Sequence, residues 1–196
     1  MPRRNVKLLG NLQLGSKMQA KIPVTIGFGN PAPVDYSKLI RMDSAAIGPL
    51  FDKVRTEAFP LSPCTELLFA YGDLDEEGRF GGPKPTTVWE VAEKCRTRIF
   101  ILASPNSPAT TQKALMARPK NNAVTMVLTV KRNGEGFARF FCDLFELMRK
   151  GESFPMAWVM LAPQLGTPSH PKYEPFAAAM TFGGRQLVFP RSKPDA

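Results

Sequence analysis

Three groups of side chains in this sequence have residue types that could carry chemistry. The first is His170, the only histidine and therefore the only possible base for a Ser-His-Asp or Cys-His arrangement. It lies in a proline-flanked loop, which holds a catalytic base poorly, so we expect a surface turn residue. A histidine-based metal site would need partner ligands that the sequence does not offer.

The second group is an acidic cluster that directly follows a predicted strand ending at Tyr71. Ligands of open α/β sheets bind beyond the carboxyl ends of the strands, so this cluster could hold a divalent cation and support metal-assisted hydrolysis. Acidic residues also favour turns for backbone reasons, and we expect the turn role here. The cluster consists of Asp73, Asp75, Glu76 and Glu77.

The third group is Ser104, Asn106 and Ser107, which follow a second predicted strand and open a helix. Their side chains and the amides at the start of the helix could cradle an anion or a polar ligand. The simpler interpretation is that Ser107 caps the helix and Pro108 occupies its first turn. Neither dinucleotide nor phosphate-loop glycine patterns are present, and we expect no cofactor.

The elements that must position these residues alternate between buried strands and amphipathic helices. Apolar runs of strand length cover residues 66–71, 98–103 and 123–130. Thr87 and Glu90 have capping-box spacing before a helix that reaches about residue 95, and Ser107 opens another to Met116. This strand–helix order predicts a single α/β domain with three α/β/α layers and a mostly parallel sheet.

Other elements are predicted from shorter patterns. Residues 22–28 form a strand, which Pro23 places at an edge of the sheet. A helix is expected from Asp43 or Ser44 to before Pro60, since Ile47, Leu50, Phe51 and Val54 recur at helical spacing. The phenylalanine-rich stripe at 137–148 predicts a core helix that ends at Gly151, and Ser153 caps a short helix after it. The last predicted strand covers residues 185–189.

Length and composition narrow the class of protein. At 196 residues with a net charge of +9, the chain suits one domain, with residues 1–20 as a flexible segment or an edge strand and 190–196 as a tail. The N-terminus lacks the pattern of a signal peptide, no apolar stretch could span a bilayer, and the three widely spaced cysteines are expected as free thiols, so we expect a cytoplasmic protein. The excess of basic over acidic residues is compatible with a nucleic-acid partner but does not favour one.

From about Thr65 onward, the order of elements resembles the caspase-like CHAT peptidase domains of the caspase and gingipain group. In that family one strand ends in a His-Gly step and another in an Ala-Cys step followed by small polar residues. The corresponding places here are Tyr71-Gly72 and Ser104 to Ser107. The resemblance continues through the next strand, its following helix, the short helix after it and the last turn, at Asn122 to Val130, Gly136 to Gly151, Glu152 to Ala162 and Phe182 to Gly184.

The resemblance implies a domain without the family's reaction. Tyrosine stands in place of the general base, and proline or serine stands in place of the cysteine nucleophile. We therefore expect a non-catalytic interaction or regulatory module, a pseudoenzyme with a protein or peptide partner. Its binding crevice would be formed by Tyr71, Gly72, Asp73, Ser104, Asn106 and Ser107. The alternatives are a nucleic-acid-associated basic protein and a metal-assisted hydrolase that uses the acidic loop near Asp73.

Overall fold

A computed structural model describes residues 21–56, 65–120, 122–131, 136–161 and 177–181. Within them, six strands form one mixed sheet in the order β2-β1-β3-β6-β7-β8, and β4 and β5 form a separate small hairpin. All neighbouring pairs in the large sheet are parallel except β7 with β8. The strands are β1 (Ile22–Gly29), β2 (Phe51–Arg55), β3 (Leu67–Ala70), β4 (Arg79–Phe80), β5 (Thr86–Thr87), β6 (Ile99–Leu102), β7 (Thr125–Lys131) and β8 (Ala177–Thr181).

In the part of the chain that the structure describes, five α-helices cover the two faces of the sheet. They are α1 (Ser37–Ile47), α2 (Val88–Lys94), α3 (Pro108–Met116), α4 (Gly136–Arg149) and α5 (Phe154–Leu161). Helices α1, α4 and α5 pack on one face, and α2 and α3 pack on the other, so that two separate apolar clusters form. The predicted α/β class with three layers and a mostly parallel sheet is confirmed. No helix among the described residues is long and apolar enough to cross a membrane.

Strands β3 and β6 occupy the middle of the sheet and are buried along their whole length, as the continuous apolar runs predict. Phe69 of β3 contacts the rings of Phe28, Phe137, Phe141 and Phe145, mostly edge to face. Aromatic pairs of this geometry are each worth about 0.5–1.5 kcal/mol beyond the apolar area that they bury. This aromatic cluster fixes the face of the sheet that α4 covers.

The helix starts that capping residues in the sequence predict are confirmed. Thr87 and Glu90 form a complete capping box at α2, and the Ser107 hydroxyl accepts the amide of Thr110 at the start of α3. Helix α4 buries the predicted phenylalanine stripe, and Gly151 after it has a φ of 107°. The Ser153 hydroxyl accepts the amide of Met156 in the first turn of α5.

Two predictions for the N-terminal half of the chain are wrong. The strand containing Pro23 is not at an edge, because β2 pairs on its outer side; the pairing shifts register between Ile22 and Thr25, and the proline stands in that irregular stretch. The helix expected from Asp43 or Ser44 instead starts at Ser37 and ends at Ile47. Phe51 and Val54, which are three residues apart, belong to strand β2.

The sequence patterns did not predict β8, which pairs antiparallel to β7. The strand expected at 185–189, the turn at 182–184, the predicted N-terminal segment and tail, and His170 lie outside the described residues.

Candidate functional site

The carboxyl ends of β3 and β6 lie side by side. Ala70 pairs with Leu102 at the end of the parallel ladder, and the amide of Ala103 continues it by donating to the Ala70 carbonyl at 2.8 Å. On the other side, the amide of Tyr71 donates to the carbonyl of Gly29 in β1 at 2.9 Å. The residues that follow the two predicted strands therefore meet at one edge of the sheet.

Side chains from the end of β6 hold the backbone that follows β3. The Ser104 hydroxyl accepts the amide of Gly72 at 2.7 Å, and the Asn106 side-chain oxygen accepts the amide of Leu74 at 3.0 Å. Ser104 is fully buried and Asn106 is half-buried. Four of the six predicted crevice residues, Gly72, Asp73, Ser104 and Asn106, are thus brought together, and Ser107 follows one position later.

Thr129 of β7 extends this hydrogen-bond network to a third strand. Its buried hydroxyl donates to the carbonyl of Leu102 at 2.9 Å and also contacts the carbonyl of Ser104. The Asn106 amide donates to the carbonyls of Ser104 and Thr129 at 2.8 and 3.3 Å. Sequence analysis overlooked Thr129, although a hydroxyl inside an apolar strand run could have drawn attention to it.

The side chain of Tyr71 lies in the core. Its ring is 0% exposed, and its hydroxyl donates to Oδ2 of Asp43 in α1 at 2.8 Å. The side chain belongs to the apolar cluster beneath α1 and α4, and its ring centre lies 6.5 Å from that of Tyr36. Tyr71 therefore offers no exposed surface to a ligand at the strand ends.

A different tyrosine, Tyr36 at the start of α1, lies beside the polar residues at the strand ends. Its hydroxyl donates to Oδ1 of the exposed Asp73 at 2.5 Å. Burial raises the pKa of Tyr36 to about 12, with the hydrogen bond and the charge of Asp73 acting in the same direction and a hydrogen bond with Ser104 opposing them. Sequence analysis missed this residue, since nothing in the local pattern links it to position 73.

We name the group at this edge the strand-end crevice. It comprises Tyr36, Gly72, Asp73, Ser104, Asn106 and Ser107. Gly72 is needed for close approach, because a Cβ there would lie 2.8 Å from Cβ of Ala32 and 3.1 Å from the Phe80 ring. Asp73 and Ser107 are exposed, so polar groups of the crevice are open to a partner.

The rest of the acidic cluster serves a turn. Oδ1 of Asp75 accepts the amides of Glu77 and Arg79, and the Arg79 guanidinium pairs with Oδ2. Burial raises the pKa of Asp75, but these amides and the Arg79 charge outweigh it and hold the pKa below its usual value. Lys113 of α3 pairs with Glu77 and donates to the carbonyl of Glu76 at 2.7 Å. Among the described residues, no three His, Cys, Asp or Glu side chains are grouped closely enough to hold a metal ion.

Two of the three cysteines lie in the described part of the chain, and both are free thiols. Cys95 is buried, and burial raises the pKa of its thiol. Burial also raises the pKa of Cys142 to about 11, with the charges of Asp143, Glu146 and Asp43 adding to the effect. Both thiols are therefore protonated near neutral pH and are poor nucleophiles.

Comparison with known proteins identifies no family. No protein-family model matches the chain. No curated protein matches it with significant similarity.

Proposed function

We propose that this protein is a non-catalytic, caspase-like domain that binds a peptide or another protein at the strand-end crevice. One observation carries the proposal. The two places that correspond to the peptidase dyad end adjacent strands, and both hydroxyls there have partners within the fold: Tyr71 donates to Asp43, and Ser104 accepts the amide of Gly72.

These contacts favour binding over nucleophilic chemistry. A serine nucleophile needs a base within hydrogen-bond reach and access to the substrate. Ser104 is 0% exposed, and its hydroxyl contributes to the junction between β3 and β6. The ring of Tyr71 lies in the core on the α1 side, where no substrate can reach it without unpacking the sheet.

The strand-end crevice has the position and the exposed polar groups that a binding site needs. It lies at the carboxyl ends of parallel strands, where open α/β sheets bind ligands. The exposed Asp73 carboxylate, the exposed Ser107 hydroxyl and the half-buried Asn106 amide can form hydrogen bonds with an extended peptide. The Tyr36 ring adds an apolar surface beside Asp73. The free thiols fit a reducing compartment, and we propose the cytoplasm as the location.

The experiment uses the full chain in two assays. The first incubates it with a broad library of peptide substrates, and we expect no cleavage. The second selects binding peptides from a displayed library and measures their affinity for Asp73→Asn and Ser107→Asp, since aspartate still caps α3 while it alters the crevice. Binding should weaken at least tenfold in both variants.

The matched control is Asp52→Asn, which removes an equally exposed carboxylate from β2. It should leave peptide affinity unchanged. Cleavage that disappears in Ser104→Ala would overturn the proposal, as would selected peptides whose affinity is insensitive to both crevice variants.

A further inference from the structure

Basic residues collect at the amino-end edge of the sheet, opposite the strand-end crevice. The chain turns there from α2 into β6 and from α3 into β7. These two turns are neighbours, because Ile99 pairs with Thr125 and the amide of Thr125 donates to the Arg98 carbonyl at 2.9 Å. We name this group the basic edge; it comprises Lys94, Arg96, Arg98, Arg118 and Lys120.

All five side chains of the basic edge are exposed. Residues 95–98 and 117–124, which form the two turns, contain no Asp or Glu. Lys94, Arg96, Arg98 and Lys120 make no side-chain hydrogen bond or ion pair with any described residue. Arg96, Arg98 and Lys120 are thus available to a partner, while the charge of Lys94 also acts on the Glu90 carboxylate.

Arg118 has a second role in the same place. Its guanidinium donates to the Asn122 carbonyl at 2.6 Å and lies 5.9 Å from the centre of the Trp89 ring. These contacts hold the turn after α3 against Trp89 in the first turn of α2. The cations of the two turns are near each other because strands β6 and β7 pair where the turns end.

Arg96 occupies a backbone position that suits glycine better. Its φ is 52°, and it is the residue after the C-cap of α2. Its amide donates to the Glu93 carbonyl at 2.9 Å and that of Thr97 to the Ala92 carbonyl at 2.8 Å, which is the Schellman pattern. Glycine adopts this conformation without steric penalty, whereas arginine does not. The backbone conformation therefore gives no reason for an arginine in this position.

Helix stabilisation explains only part of the cluster. Cations favour the negative end of a helix dipole, which accounts for Lys94 in the last turn of α2 and also for Arg96 and Arg118, each of which directly follows a helix C-cap. Arg98 and Lys120 lie further beyond the helix ends. The charge of these two residues is left for interaction with a partner.

We propose that the basic edge binds the phosphate backbone of a nucleic acid. Three of its cations are arginines, whose planar guanidinium can engage two phosphate oxygens at once. Apart from Met116 at the end of α3, the described residues at this edge expose no large apolar side chain of the kind that anchors proteins in lipid. The exposed Asp73 lies at the opposite edge and disfavours a polyanion there.

The test measures binding of a fluorescein-labelled single-stranded oligonucleotide to the full chain by anisotropy over a series of salt concentrations. We expect micromolar binding that weakens steeply with salt, because phosphate contacts release counterions. Arg96→Gly should bind more weakly while its melting temperature rises. Arg96→Gly combined with Arg98→Ala and Lys120→Ala should weaken binding at least tenfold, with a salt slope lower by about one per cation removed.

The control variant removes Lys38, Arg41 and Lys53, three exposed cations of α1 and β2, by alanine substitution. It changes net charge equally and should bind much as the unaltered protein does. The proposal fails if the unaltered protein does not bind, if both triple variants lose affinity equally, or if Arg96→Gly binds normally. It also fails if vesicles of phosphatidylserine and phosphatidylcholine bind as tightly with the same dependence on the variants, which would assign the edge to membranes.

Discussion

The hydroxyl of Tyr71 lies 2.8 Å from Oδ2 of Asp43, and the two side chains are 0% and 2% exposed. This buried contact ties the end of the central strand β3 to helix α1. Removing the donor leaves a buried carboxylate with one hydrogen bond fewer, which is costly where water cannot replace it.

We therefore expect Tyr71→Phe to lower the free energy of unfolding by about 1–3 kcal/mol. The matched control is Tyr36→Phe, which removes the hydrogen bonds of a half-buried hydroxyl with the exposed Asp73 and with Ser104 and should cost less than Tyr71→Phe. Urea denaturation followed by circular dichroism measures both. Equal losses in the two variants would contradict a structural role for the buried pair.

Asn106 is expected to stabilise the junction of three strand ends through both halves of its amide. It accepts the Leu74 amide and donates to the carbonyls of Ser104 and Thr129. Asn106→Ala should destabilise the fold by about 2–3 kcal/mol, since it leaves partly buried groups unpaired. Asn106→Asp keeps the acceptor but places a carboxylate oxygen against the Ser104 and Thr129 carbonyls, so it should also lower the melting temperature below that of the unaltered protein. An alanine variant as stable as the unaltered protein would show that water replaces these bonds.

Gly78 has a φ of 76°, and a Cβ there would lie 2.6 Å from the backbone nitrogen of Ala114 in α3. Gly78→Ala should therefore combine backbone strain with a clash that no side chain can relieve, and we expect a loss of more than about 3 kcal/mol. Gly82 has a φ of 136° with open space around it. Gly82→Ala introduces the backbone strain without a clash and should lower the free energy of unfolding clearly less. Thermal denaturation of the two variants measures the difference.

The pKa of Tyr36, raised to about 12, gives a prediction for alkaline pH. The folded state keeps a proton that the unfolded state loses near pH 10, so this contribution to stability is complete below pH 10 and disappears as pH rises toward 12. Asp73→Asn removes a charge that opposes ionisation and should lower the pKa, although burial remains. Tyrosinate absorbance measures the titration, and Tyr36→Phe identifies the transition. An unchanged pKa in Asp73→Asn would mean that burial alone sets it.

Much of the fold is predictable because its central elements carry local patterns. The runs at β3 and β6 are apolar on both faces, which only a covered strand requires. The Thr87–Glu90 and Ser107–Pro108 pairs specify helix starts through hydrogen bonds made within four residues. The adjacency of the strand ends at the candidate site follows from the alternating order of these elements.

The incorrect predictions arise where pairing partners decide the structure. Phe51 and Val54 fit a helical stripe, yet the pairing with β1 makes them a strand. The orientation of Tyr71 follows from alternation along β3, since residues 69 and 71 share the face that α4 covers. Its partner Asp43 and the rim residue Tyr36 come from α1, far along the chain, so no local pattern could identify either contact.

The two tryptophans lie on opposite faces of the sheet. Trp89 belongs to the cluster beneath α2 and α3, and its ring nitrogen donates to the Ala114 carbonyl at 2.8 Å. Trp158 packs against Phe140 and Phe154 in the cluster beneath α4 and α5. The two tryptophans of the chain therefore report on one helical layer each. Thermal denaturation of single-tryptophan variants would reveal whether the two helical layers unfold together as one cooperative unit. The alternative is that one layer unfolds first while the other still covers its face of the sheet.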